Sequence, residues 1–164
     1  MATTTSGTAK VTLPTDNQIL ITREFNAPKH LVWKAYTTPE LIKRWWSGEK
    51  GTVTIAEVDL RVGGKWRYVM DASGGFEVAF RGEYREILPD ERLVNTEVFE
   101  GIPDPDDHTG LITVTFTEKD GRTFMEMLCE YRDQTDRDAV VNSGMEGGMQ
   151  QSMDALEKVA VSLA

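Results

Sequence analysis

The chain has 164 residues, 40% of them hydrophobic, with a formal net charge of -9 and a pI near 4.7. Nucleic-acid binding needs Lys and Arg to displace counterions from phosphate, so this balance argues against nucleic acid and against anionic membrane surfaces as partners. The length fits one domain with enough apolar material for a core.

No apolar run approaches the roughly 20 residues that cross a bilayer, and the start MATTTSGTAK lacks the basic and apolar regions of a signal peptide, so a cytoplasmic protein is expected. Residues 1–17, rich in Thr, Ser and Gly without periodicity, read as a mobile tail ahead of a domain spanning 18–164. From Gln18 to Phe25 the pattern alternates, with Ile19, Ile21 and the aliphatic part of Arg23 on one face, as in a strand. Pro28 stops it and suits the first turn of a helix whose apolar positions are Leu31, Val32, Ala35 and Tyr36. A second short helix opens on Thr38, Pro39 and Glu40 and ends on the adjacent Trp45 and Trp46.

From Thr52 the period becomes two. Turn chemistry at Gly63-Gly64, Ser73-Gly74-Gly75, Pro89-Asp90 and Asp120-Gly121 divides the run into an antiparallel meander of about six strands. Residues 136–163 read as one amphipathic helix, with Val141, Met145, Met149, Ser152, Leu156, Val159, Ala160 and Leu163 on its apolar stripe and Glu157 on the polar side. Gly144, Gly147 and Gly148 each cost up to about 1 kcal/mol of helix propensity against alanine; close approach of sheet side chains or space left for a ligand would compensate.

This order predicts an α+β protein in which a curved antiparallel sheet of about seven strands grips one long helix. A helix about 10 to 12 Å across is too narrow to cover so broad a concave face, so large side chains or a pocket must occupy the rest.

The segments REFNAPKHLVWKAYTTPELIKRWW, GGKWRYVM, RGEYREILPDERLVNTEVFEG and DRDAVVNSGMEGGMQQSMDALEKV, in this order, resemble the SRPBCC superfamily, in the branch named after the homologue of the heat-shock protein 90 ATPase activator. The resemblance spans residues 18–163, and Gly147 stands where that branch's SGMEEGM pattern carries an acid. It implies the helix-grip fold of birch-pollen-allergen-like proteins, with an apolar cavity between sheet and helix. Superfamily members include lipid and hormone binders, polyketide cyclases, antibiotic-sequestering proteins and co-chaperone domains.

Period two places Trp66, Tyr68 and Met70 on one face of a strand, Phe76, Val78, Phe80 and Tyr84 on the next, and Met125, Met127, Cys129 and Tyr131 on the last. With Met145 and Met149 these form either a solid core or the walls of a cavity for an apolar ligand. Of the two indoles, one plugs the gap beneath the short helices and the other reaches the cavity mouth. The side of the strand around Glu97 is ambiguous: facing inward, its carboxyl is desolvated and becomes a hydrogen-bond anchor or base; facing outward, it is solvated or paired with Arg81 or Arg85. Cys129 reads as a small buried hydrophobe, consistent with a reducing compartment.

Catalytic signals are sparse. His30 and His108 have no neighbouring nucleophile in sequence, and Asp104, Asp106, Asp107 and His108 read as a solvated loop fringing the cavity rather than a metal site. No metal or cofactor is expected. The ligand-binding candidates are therefore Trp45, Trp46, Trp66, Tyr68, Phe80, Tyr84, Glu97, Met125, Met127, Tyr131, Met145 and Met149. The leading expectation is binding of a small hydrophobic molecule. The alternatives are a cyclase- or hydrolase-like enzyme using Glu97, Tyr84 or Tyr131 for proton transfer, and a co-chaperone-like module that binds a chaperone or other protein with the outer face of the sheet, where Arg67, Arg81, Glu83 and Arg85 lie.

Overall fold

A computed structural model describes residues 9–48, 51–72 and 74–164. Its strands are β1 (Lys10–Thr12), β2 (Gln18–Phe25), β3 (Gly51–Val58), β4 (Lys65–Ala72), β5 (Phe76–Leu88), β6 (Arg92–Phe99), β7 (Gly110–Lys119) and β8 (Arg122–Glu130). Helices α1 (Lys29–Thr37) and α2 (Pro39–Trp45) follow β2, and α3 (Gln134–Val141) and α4 (Met145–Ser162) close the chain. Among the described residues the strands form one antiparallel sheet in the order β1-β2-β8-β7-β6-β5-β4-β3. This is the α+β, helix-grip architecture expected.

The turns fall where their residues prescribe them. Asp90, Asp120, Gly63, Gly74, Gly75 and Gly121 all adopt positive φ, the left-handed region that glycine enters freely and aspartate tolerates; Ser73 lies outside the described residues. Two irregularities interrupt the sheet, between Val53 and Ile55 in β3 and between Tyr84 and Glu86 in the long β5. An extra residue on one strand bends it and increases its twist, which helps the sheet curl around its contents.

Three expectations fail. Residues 10–12 are not part of a loose tail: Lys10, Val11 and Thr12 pair with Thr22, Ile21 and Leu20, and Gln150 of α4 exchanges two hydrogen bonds with the backbone of Ala9. A three-residue strand is too short to show periodicity. Residues 1–8 lie outside the described residues.

The terminal helix is broken in two. Gly144 takes φ 83° ahead of α4, and the Ser143 amide and hydroxyl both donate to the Val140 carbonyl, ending α3 one turn early. Val141 is consequently exposed, and its neighbour Val140 packs on the core instead. At Gly147 a β-carbon would meet nothing within 4 Å, so no close approach of the sheet explains that glycine.

Glu157, assigned to the polar side of the helix, is fully buried. The guanidinium of Arg23 reaches it from β2 at 3.0 Å, and the Asn26 amide donates to its other oxygen at 2.6 Å. Buried charge is tolerated where a partner and hydrogen bonds replace water, and both are supplied here.

One end of the sheet's concave face is solid. Phe25, Val32, Phe116, Met125 and Leu156 are almost completely buried there, and Trp33 meets Phe116 edge-on with centroids 5.8 Å apart. Towards the other end a gap opens between the helices and much of the sheet.

Candidate functional site

The gap is a cavity of about 940 Å³. Alternation along each strand aims every second side chain into it: Trp66 and Tyr68 from β4, Val78, Phe80 and Tyr84 from β5, Leu93, Asn95, Glu97 and Phe99 from β6, and Met127 and Cys129 from β8. Tyr36 of α1, Trp45 of α2 and Trp46 just after it, Val140 of α3, and Met145, Met149 and Met153 of α4 form the opposite wall. Ile102, Pro103, Asp104 and His108 fringe it from the loop between β6 and β7. All four tyrosines of the chain border this space.

Eleven of the twelve candidates picked from sequence line the cavity; Met125 does not. It sits opposite Arg23 and Phe116 in the sheet register, at the end that α1 and α4 cover, and is fully buried in the solid core. Two residues of the proposed apolar rows also lie elsewhere. Phe76, at the start of β5, is 60% exposed, and Met70 is not among the lining residues.

The two indoles divide the work. Trp45 is buried, donates its indole N–H to the Ala35 carbonyl at 2.9 Å and stacks on Tyr36 at 5.5 Å, plugging the joint between α1 and α2. Trp46 is half-buried and reaches across to the sheet, meeting Tyr68 and Phe80 edge-on at 5.4 and 5.7 Å. Its carbonyl accepts from Ser152 of α4 at 2.7 Å, which ties this indole to the long helix.

Trp66 depends on a glycine. Its indole N–H donates to the Thr96 carbonyl two strands away, at 3.2 Å, passing over Gly82 of the intervening β5. A β-carbon on Gly82 would collide with both that carbonyl and the indole nitrogen. The absent side chain thus lets the ring lie down against the cavity wall.

Glu97 faces inward. Its accessible surface opens on the cavity, and burial pushes its carboxyl up to about 7. No hydrogen bond or ion pair to it is found among the described residues, whereas Arg81 pairs with Glu100 and Asp106, and Arg85 with Glu83. Around it stand Tyr36, Tyr68, Tyr131 and Cys129. Burial raises the pKa of each, and the charge of Glu97 adds to the effect. Tyr84, pushed up to about 12 by burial, shares a hydrogen bond with Tyr68. Cys129, also pushed up to about 12, is a neutral thiol near pH 7 and a poor nucleophile.

Sequence reasoning missed two polar features. Tyr36 passed as an ordinary helical core position, because nothing local reveals that the helix faces a void. His108, which had no visible partner, places Nδ1 2.8 Å from the Asp136 carboxylate, 28 residues away at the start of α3. Arg132 reaches the same carboxylate at 3.3 Å. The His108–Asp136 contact pins the loop to α3 at the cavity rim. His30 is exposed on α1, and no cluster of His, Cys, Asp and Glu able to hold a metal occurs among the described residues. Nor is any helix among them long and apolar enough to cross a membrane.

A curved antiparallel sheet closed by a C-terminal helix over an aromatic and methionine-lined cavity defines a helix-grip protein. The family described as Activator of Hsp90 ATPase homolog 1-like protein matches residues 26–160, and the chain belongs to that family. A crystal structure of a Rhodobacter sphaeroides protein superposes with a TM-score of 0.85 at 23% identity, covering 95% of this chain and 99% of its own. A solution structure from Arthrobacter aurescens gives 0.83 at 22%, covering 93% and 91%. A crystal structure from Chromobacterium violaceum gives 0.77 at 26%, covering 89% and 98%. No curated protein matches the chain significantly.

Proposed function

We propose that this protein binds a small, predominantly apolar molecule in the cavity between sheet and helices. The observation that carries the reading is the cavity itself: about 940 Å³ lined by Trp46, Tyr68, Phe80, Met127, Met145 and Met149, within the roughly 300–1,000 Å³ typical of small-molecule sites. Flat aromatic faces and flexible thioethers accommodate varied apolar shapes, while the Tyr hydroxyls and Glu97 fix orientation. Met125 belongs to the core and takes no part. The test is a screen of apolar compounds by chemical-shift perturbation, joined to native mass spectrometry of freshly purified protein. A co-purifying molecule, or shifts confined to the cavity lining, supports the reading. A screen that moves no signal from these residues overturns it.

A second reading is an enzyme of cyclase or hydrolase type in the same cavity. Its support is Glu97, an unpaired carboxyl whose pKa of about 7 suits a general base near neutral pH. If turnover of a bound compound is found, Glu97→Gln should lower it by about 100-fold or more, with Tyr84→Phe and Tyr131→Phe testing the neighbouring hydroxyls. Unchanged turnover in all three would rule these assignments out.

The family's description, Activator of Hsp90 ATPase homolog 1-like protein, supports a third reading, a co-chaperone-like module, for which the outer face of the sheet is the surface we propose. There Arg67 pairs with Glu100, Lys65 with Glu83 and Arg81 with Asp106, so much of the charge is already answered within the chain. A pull-down with a heat-shock protein 90 homologue decides it.

A further inference from the structure

The cavity is lined by carboxylates without a permanent cation among the described residues. Among the described residues its ionisable lining comprises Glu97, Asp104, Asp136, His108, the four tyrosines and Cys129, with no Lys or Arg. Asp136 is occupied by His108 and Arg132. Glu97 has no such partner; Tyr36, Tyr68 and Tyr131 feel its charge, the Trp66 indole N–H sits on the carbonyl of the adjacent Thr96, and Tyr68 meets Trp66 and Trp46 at 4.8 and 5.4 Å.

A carboxylate removed from water without a cation is costly, and a ligand that supplies one recovers that cost. Aromatic faces act in the same direction, because the ring quadrupole attracts positive charge, most strongly at tryptophan. An anionic head group meets the reverse situation: like charge from Glu97 and no Lys or Arg among the described lining to receive it, with the one histidine there, His108, already held by Asp136.

We propose that the cavity selects apolar molecules carrying a basic nitrogen, a protonated amine or quaternary ammonium that pairs with Glu97 beside the indole and phenol rings, and discriminates against fatty acids and other apolar anions. The proposal rests on the reading of the cavity as a binding site and names the chemistry of its occupant.

The pairing has a proton signature. The groups that face Glu97 from the surrounding elements are Tyr36 on α1, Tyr68 on β4, Tyr84 on β5, and Cys129 and Tyr131 at the end of β8, all raised well above neutral pH and uncharged there. Asp104, Asp136 and His108 line the rim. With Glu97 near 7, a bound cation pulls its proton off. Amine binding at pH 7 should therefore release about half a proton, and amine affinity should rise from pH 6 to 8.

Octylamine, octan-1-ol and octanoate share a tail and differ in head-group charge, and calorimetric titration of the full chain with each provides the test. Octylamine should bind at least about 10-fold more tightly than the alcohol at pH 8, with octanoate weakest. In Glu97→Gln the amine-to-alcohol ratio should fall to about 1. Should that variant misfold, the buffer dependence of the heat for the unmodified protein still reports the proton release. Octanoate binding as tightly as octylamine, or amine binding without proton release, overturns the selectivity while leaving the cavity a binding site. Failure of all three to bind overturns both.

Discussion

Arg23 on β2 and Glu157 on α4 meet at 3.0 Å with neither side chain exposed, joining the sheet to the long helix across the core. Asp154, one turn earlier and 46% exposed, takes the second arm of the same guanidinium at 2.7 Å. The bridge fixes both the height and the rotation of α4, and hence which helix residues overlook the cavity.

Breaking this bridge from one side should be more damaging than deleting it. Arg23→Met takes the guanidinium away from the buried carboxylate of Glu157 and should cost about 3–5 kcal/mol in chemical denaturation. Arg23→Met combined with Glu157→Leu should recover part of that loss. The recovery stays incomplete because the Asn26 amide, which donates to Glu157 at 2.6 Å, is left unpaired. A double variant no more stable than the single one would show that the pair is not the principal link.

Glu97 makes stability depend on pH in the direction opposite to most carboxylates. Its folded pKa, about 7, lies above the ordinary value of 4.5, so the folded state holds the proton more tightly than the unfolded chain. The contribution is present in full below about 4.5 and is lost as pH rises through 7, by up to about 3 kcal/mol and less where water enters the cavity. Glu97→Gln should flatten the stability profile between pH 5 and 7.5 and be the more stable protein at pH 8. Denaturation midpoints across that range are the check.

The two adjacent indoles should separate cleanly. Trp45→Ala removes the buried plug between α1 and α2 and should cost about 3–5 kcal/mol. Trp46→Ala, at a half-buried position on the cavity wall, should cost less than half of that while weakening an apolar probe by about 10-fold. Equal stability losses in the two would contradict the division of roles.

Gly82→Ala should act on the cavity from behind. The added methyl meets the Thr96 carbonyl and the Trp66 indole nitrogen, so Trp66 must tilt or β5 must shift. A loss of about 1–3 kcal/mol is expected, with a red-shifted tryptophan emission as the ring leaves its place.

Several features were legible in the sequence because they depend on near neighbours. The strands β2 to β8, the two short helices and the turns at Gly63, Asp90 and Gly121 follow from period and turn chemistry within a few residues. Trp66, Tyr68, Phe80, Tyr84, Met127 and Tyr131 could be picked because alternation along a strand puts every second side chain on the same face, and Met145 and Met149 because helical spacing puts them on one stripe. Met125 obeyed that pattern and still fell outside the cavity. Alternation gives the face; what covers that face is decided by α1 and α4.

The rest was settled only by the tertiary structure, and the reason is distance along the chain. Leu93, Asn95, Glu97 and Phe99 alternate as convincingly as Val94, Thr96 and Val98, so their assignment to the cavity waits on the pairing of β6 with β5 and β7. Glu157 looked solvated until Arg23, 134 residues earlier, came to it, and His108 looked idle until Asp136 did. The sequence by itself determined a curved sheet with an apolar, aromatic inner face and helices to set against it. Where that face is filled, where it is left hollow, and which charges are buried with it depended on packing between segments that no local pattern connects.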